Sequence, residues 1–317
     1  MTGVSAERQR PDADTGIALR DPLPWHELEQ IVATSEQTGY AALFLPEIGG
    51  RRDVFAALTG LAPSAPELTL ASGVATIVSR TPLATAMGAV TVAERSGGRM
   101  LLGLGTGPAR KGALDALRDF VRTVRTLLDG AEVKSARLSL DPGAAVPIWI
   151  AALGPRAMRL AGEVADGVLL NWCPPERVAF ARERIREGAE AAGRDPASIR
   201  VGVYVRAAVG QGAPGDAGLR MAAAEYASYP SYRRQFEDAG LGKEAERAAS
   251  SDGGDVPDAL LDAVALRGDA ASALRRLEAF RQAGADLPVV YPVATLEPVS
   301  SILGTLFALA PVPALED

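Results

Sequence analysis

Histidine and cysteine are nearly absent from this chain: its 317 residues contain one of each, His26 and Cys173. A single cysteine excludes an intrachain disulfide and a cysteine-cluster metal site. A single histidine leaves a Ser/His/Asp triad resting on His26 alone. That residue lies beside Trp25 and Glu27 at the start of the first helix, where a solvated side chain is expected, and no GxSxG elbow accompanies it. No His, Asp or Glu cluster has metal-ligand spacing. Positive charge is also scarce: with 33 Lys+Arg against 39 Asp+Glu the net charge is −6, which argues against nucleic acid as a partner. Long apolar runs are missing too. Residues 1–15 lack the apolar core of a signal peptide and are expected to form a flexible tail over 1–14. The uncharged stretch 298–315 is interrupted by Ser300, Ser301, Pro311 and Pro313, so it reads as a buried closing helix rather than a membrane span. A cytoplasmic location is the expectation. The composition, 48% hydrophobic and 23% charged, is that of a globular protein.

What is present is a rhythm. The run VPIWIAALGPRAMRLAGEVADGVLLNW, residues 146–172, reads strand, Gly-Pro turn, helix, strand. Ile148–Ala151 is apolar throughout, as a strand covered on both faces requires. Gly154 and Pro155 stand where a cap and first helical turn belong, and Asp166-Gly167 ends the helix. A helix opening at the C-terminal end of a parallel strand offers free N–H groups to an anion, a phosphate-sized seat. The same alternation recurs. Strands are expected at 16–19, 41–45, 68–75, 100–104, 148–153, 168–172, 199–209 and 287–293. Helices are expected at 24–38, 54–61, 83–96, 113–128, 155–165, 176–192, 270–282 and 299–309. A small hairpin is expected over 131–141 and a longer helical excursion over 219–266. Eight such units in one chain predict a (β/α)8 TIM barrel over 15–317 as a single domain. An open doubly wound sheet is the competitor, but no dinucleotide fingerprint follows the first strand. The Gly103-Leu104-Gly105-Thr106-Gly107 cluster lacks the spacing and the Lys-Ser/Thr pair of a phosphate loop.

In a barrel, function sits at the C-terminal ends of the strands. That rule nominates Asp21, Glu47, Gly73-Val74 with Thr76, Thr106-Gly107, Leu153-Gly154, Asn171 with Cys173, Arg206 and Tyr291. Few of these ionise. A site of small residues and glycine suits an enzyme whose cofactor carries the chemistry.

Three segments make the assignment more specific: LTLASGVATIVSRTPLATAMGAVTVAERSGGRMLLGLGTG (68–107), IWIAALGPRAMRLAGEVADGVLLNW (148–172) and YPSYRRQFEDAGLG (229–242). They resemble the luciferase-like flavin-dependent superfamily, in particular its coenzyme F420-dependent oxidoreductase branch, and the likeness extends over residues 15–309. The resemblance implies a non-prolyl cis peptide at Gly73-Val74 backing the deazaflavin ring and Thr76 as a polar ligand of the ring or ribityl chain. It also implies Thr106-Gly107 on the cofactor side, Leu153-Gly154 with Arg156-Ala157 as the phosphate seat, and Asn171 reaching the same side. Asp21 and Glu47 match acidic positions near the pterin-like edge and are the candidate proton donors. A surface ion pair of Glu47 with Arg51 or Arg52 is the competing account of that carboxylate. Tyr232 and Arg233, in the excursion covering the barrel mouth, are candidate substrate contacts.

Three departures qualify what the family implies. Ile48 stands where several members carry histidine, Pro108 stands where some carry an acid, and the loop 109–112 is short. Sugar-phosphate dehydrogenation is therefore disfavoured, and hydride transfer between F420 and an activated C=C or C=N of a small organic substrate is expected. An FMN-dependent monooxygenase on the same scaffold is the alternative. A catalytically inactive barrel serving as a binding or scaffold subunit is the third reading. A homodimer is expected from the family.

Overall fold

Parallel pairing closes the sheet on itself. The computed structural model describes residues 15–20, 22–108, 110–141 and 143–311. The strands are β1 (Gly16–Ala18), β2 (Ala42–Leu45), β3 (Thr69–Ser72), β4 (Ala75–Thr76), β5 (Met100–Gly105), β6 (Ile148–Ala151), β7 (Gly167–Asn171), β8 (Arg200–Val209), β9 (Ala265–Gly268) and β10 (Leu287–Pro292). The order runs β1-β2-β3-β5-β6-β7-β8, and β10 pairs with both β8 and β1 to complete an eight-stranded parallel barrel. β4 continues β3 beyond a break and pairs with β5, while β9 lies outside the closure, paired with the far end of β8.

The helices are α1 (Trp25–Gln37), α2 (Val54–Leu61), α3 (Pro82–Ser96), α4 (Ala113–Leu128), α5 (Pro155–Val164), α6 (Pro175–Ala191), α7 (Gly212–Ser228), α8 (Pro230–Asp238), α9 (Gly242–Ala249), α10 (Asp258–Val264), α11 (Ala270–Gln282) and α12 (Pro298–Ala308). Their ends follow local chemistry. Asp53 caps α2 by accepting from the Ala56 amide at 2.9 Å, and Asp269 caps α11 by accepting from Ser272 at 2.7 Å. α3 opens on Thr81-Pro82 and stops at Gly97, whose φ of 67° is the left-handed closure that glycine permits.

Three apolar clusters follow from this geometry. The largest joins the outer strand faces to the helices and includes Leu28, Ile31, Leu58, Val121 and Ile185. A second, built on Trp172, Leu219, Phe236 and Leu260, unites the excursion helices over the barrel mouth. The third fills the barrel itself with Phe44, Trp149, Leu169, Tyr204 and Tyr291. Trp149 takes its space from glycines: a Cβ on Gly167 or Gly202 would come within 2.4 or 2.6 Å of the indole. One large side chain thus replaces two small ones in the barrel filling.

Three sequence expectations change. Segment 131–141 contains a single antiparallel bridge, Val133–Ala136, with Lys134 and Ser135 at φ 49° and 64°. The expected hairpin is thus reduced to its smallest form, one bridged pair closed by a two-residue turn, without strands of its own. The excursion is four helices, α7 to α10, plus β9, and it begins at Gly212 inside a Gly/Pro-rich stretch that reads as loop. The third strand is interrupted at Gly73-Val74. The expected tail 1–14 lies outside the described residues. No described helix is long and apolar enough to cross a membrane.

Candidate active site

The break in the third strand organises one side of the barrel mouth. The peptide bond Gly73–Val74 is cis, and three of the polar groups around it have partners. The Gly73 amide donates to the Leu45 carbonyl at 2.7 Å, and the Glu47 amide donates to the Val74 carbonyl at 3.2 Å. The Tyr204 hydroxyl donates to the Gly73 carbonyl at 2.9 Å. A Cβ on Gly73 would lie 1.7 Å from that hydroxyl, so position 73 admits glycine alone. The glycines of β5 have the same origin. A Cβ on Gly103 would meet the Ser72 carbonyl at 2.1 Å, and one on Gly105 would meet Val74 at 2.6 Å. The cluster that looked like a weak nucleotide motif is the surface against which the bulge packs.

Glu47 fastens the bulge from the second strand. One oxygen accepts from the Thr76 amide at 2.9 Å and from the Ser79 hydroxyl at 3.0 Å, and the other accepts from Arg80 Nε at 2.7 Å. Arg80 also reaches Asp53 and stacks on Phe55, 4.7 Å from the ring centroid. Asp53 is held below the usual carboxylate range: burial opposes this, but the Ala56 amide and Arg80 outweigh it. The ion-pair partner of Glu47 is thus Arg80, which sequence spacing did not suggest, rather than Arg51 or Arg52.

The opposite wall carries the anion seat. α5 starts at Pro155 with Gly154 as its cap, and no side chain satisfies its first amides. A Cβ on Gly154 would meet nothing within 4 Å, so the turn opens toward free space. Arg177, buried at the start of α6, donates to the Leu153 carbonyl at 3.0 Å and fixes the turn from behind.

A polar and aromatic group completes the mouth. Asn171, at the end of β7, donates through Nδ2 to the Tyr232 hydroxyl at 2.8 Å. Gln235 donates to the Asn171 and Trp172 carbonyls, both at 2.8 Å, and so locks the strand end under α8. Arg206 projects from β8 beside Tyr291, whose ring centroid is 3.6 Å from the guanidinium carbon. Burial raises the Tyr204, Tyr232 and Tyr291 phenols above their ordinary value, so all three are neutral hydrogen-bonding groups at physiological pH.

These walls enclose a cleft of about 410 Å³. Glu47, Gly73, Val74, Thr76, Thr106, Gly107, Leu153, Gly154, Ala157, Asn171 and Tyr232 all line it, drawn from five strand ends and from α5 and α8. Arg156 is exposed on the first turn of α5, outside that lining, and Arg233 turns back toward the Ala227 and Ser228 carbonyls at 3.4 and 3.5 Å. The carbonyl end of α7 attracts a cation, which accounts for the position of Arg233. Asp21 lies outside the described residues. Arg80, Tyr204, Gln235 and Tyr226 belong to the site and were missed. Only Tyr204 carried a signal, two residues before the nominated Arg206 on the same face of β8. His26 is exposed, and burial pushes the Cys173 thiol up to about 12, so neither acts here. No group of three or more potential ligands for a metal ion occurs among the described residues.

Known proteins share this architecture. The 5,10-methylenetetrahydromethanopterin reductase of Methanolobus tindarius is 32% identical over 207 residues, which is 60% of this chain and 63% of that protein. The chain thus spans less than two thirds of the curated relatives it matches. The structure of the coenzyme F420-dependent tetrahydromethanopterin reductase from Methanopyrus kandleri superposes with a TM-score of 0.76 at 21% identity, over 95% of this chain and 98% of that one. An F420-dependent secondary alcohol dehydrogenase in complex with an F420–acetone adduct gives a TM-score of 0.76 at 15% identity, over 96% and 100%. The family model described as luciferase-like monooxygenase matches residues 3–287, and the chain belongs to that family.

Proposed function

We propose that this chain is a cytoplasmic, homodimeric F420-dependent oxidoreductase, a single catalytic barrel that transfers hydride between the deazaflavin and an activated C=C or C=N of a small organic substrate. One observation carries the reading: the Gly73–Val74 break in the third strand and the uncapped start of α5 open onto the same cleft. Supporting it, the matched relatives are named as reductases, and two solved structures of the same fold are described as F420-dependent.

The residues present fit the cofactor. The free α5 amides and the open Gly154 turn suit a phosphate, with Leu153, Gly154 and Ala157 as its seat. Gly73, Val74 and Thr76 would back the ring system, and Thr106, Gly107 and Asn171 would line the adjoining chain. When bound, F420 supplies a two-electron hydride donor or acceptor that needs no metal and no protein nucleophile. The protein supplies position and exclusion of water. Tyr204 fixes the Gly73 carbonyl, Gln235 fixes the β7 end, and Tyr232 with Tyr226 closes the mouth at a ring separation of 4.8 Å.

Reduction adds a hydride to the electrophilic carbon and a proton to its neighbour. Glu47 and Asp21 are the carboxylates proposed for the proton step. Glu47 is already engaged by Arg80, Thr76 and Ser79, so in this reading it holds the bulge and passes a proton only by way of water. The test is anaerobic mixing of reduced F420 and purified protein with a series of cyclic imines and enones. Return of the oxidised deazaflavin absorption with stoichiometric product is the expected result. Oxygen-dependent turnover with reduced FMN instead would contradict it.

A further inference from the structure

Arg177 and Arg206 are the two arginines buried most deeply among the described residues, at 6% and 5% exposure, and they are treated differently. Arg177 reaches Asp238 at 3.4 Å. Arg206 has no carboxylate partner among the described residues. Its Nη1 donates to Asn171 Oδ1 at 3.4 Å and its Nη2 to the Tyr226 hydroxyl at 3.2 Å, both neutral acceptors. Around it stand the rings of Tyr291, Trp172 and Tyr226, with centroids 3.6, 5.2 and 5.3 Å from the guanidinium carbon. The ring faces offset part of the cost of burying a cation but leave its charge uncompensated.

Arg206, Tyr226 and Tyr291 also form a partition. On one side is the cofactor cleft, and on the other is a second chamber of about 710 Å³ that shares only these three lining residues with it among the described residues. Its body is apolar, built from Leu23, Met221, Ala222, Val293 and Ile302. The charged groups elsewhere on its wall balance in sign. Arg20 pairs with Glu225 at 3.4 Å, and Arg51 and Asp252 are exposed. Among the described residues, Arg206 is therefore the single uncompensated charge of the chamber.

We propose that this chamber binds an apolar-bodied monocarboxylate, whose two oxygens pair with the Arg206 fork while its body lies against Leu23, Met221, Ala222 and Ile302. One guanidinium matches one carboxylate in charge and planar geometry, whereas a phosphate dianion would remain under-neutralised. The assignment of this ligand as substrate rests on the deazaflavin reading, because Arg206 then sets the reacting molecule beside the cofactor cleft. The binding site itself does not depend on that reading.

The experiment titrates the full chain by calorimetry with 3-phenylpropanoate and octanoate and with their neutral amides. F420 binding is measured separately by its fluorescence. The carboxylates are expected to bind at least about tenfold more tightly than the amides, as loss of a charged hydrogen-bond pair implies. Arg206→Gln removes that preference; Arg206→Lys, which keeps the charge but not the fork, retains part of it. Ala222→Phe, with Arg206 intact, weakens both carboxylates by filling the chamber, which keeps the test decisive should Arg206→Gln fail to fold. Equal affinity for acid and amide, or no binding of either acid, overturns the proposal. So does an Arg206→Gln variant that loses F420 but keeps the carboxylate preference. Carboxylate discrimination without any F420 binding would instead sink the deazaflavin reading and leave the chamber assignment standing.

Discussion

The Tyr204 hydroxyl donates across the barrel to the Gly73 carbonyl at 2.9 Å, tying β8 to the bulge of the third strand. Tyr204→Phe leaves that buried carbonyl unpaired, at a cost of about 1–3 kcal/mol in stability and a weaker grip on the cofactor. Denaturant unfolding and F420 titration of the variant measure both.

Gly73→Ala is expected to be worse, since its Cβ would stand 1.7 Å from the Tyr204 oxygen. Combining it with Tyr204→Phe recovers part of the stability, because the nearest remaining neighbour is then the ring carbon at 3.0 Å. Thermal midpoints of the single and double variants test this; strictly additive losses would show that the two positions do not meet.

Gly154→Asp separates stability from binding. The position has free space around it, and aspartate is a better helix cap than glycine, so the melting temperature holds or rises. The same negative charge repels a phosphate from the α5 amides, and F420 affinity falls by at least about tenfold, or 1.4 kcal/mol. A variant that binds F420 as the parent does would place the phosphate elsewhere.

Glu47→Gln distinguishes brace from acid. Loss of the Arg80 pair lowers stability by about 1–3 kcal/mol. With Glu47 as a brace, the pH profile of turnover keeps its shape at reduced amplitude; a vanished limb of that profile would identify Glu47 as the titrating proton donor.

The barrel was legible because parallel strands buried on both faces read as short apolar runs and several helices end on a glycine, among them Gly39, Gly97, Gly130, Gly193 and Gly284. The anion seat was legible for a local reason: Gly154-Pro155 is both its sequence signal and its structure. What escaped are partners distant in sequence. Arg80 lies 33 residues from Glu47 and Tyr204 lies 131 from Gly73, and neither separation leaves any periodic trace. Arg233 looked functional from its neighbours, yet the carbonyls ending α7 claim it. The glycines of β5 are explained only once Ser72 and Val74 are seen pressing on them.

Alkaline pH gives a signed expectation. Burial raises the Tyr204, Tyr232 and Tyr291 phenols in the folded state, so their contribution to stability is intact below the unfolded value near about 10 and is lost as pH rises through the higher folded values. Phenolate absorbance from these three is expected to appear only together with unfolding. Reversible titration near the ordinary value in folded protein would mean that the cleft is open to water.

The central claim is that the cleft between the bulge and α5 is built for a deazaflavin. Parallel fluorescence titrations of the purified chain with F420 and FMN test it most directly. Saturable binding of F420, at least about tenfold tighter than FMN and diminished in Gly154→Asp, is the result expected. Preference for FMN, or binding of neither, would contradict the account.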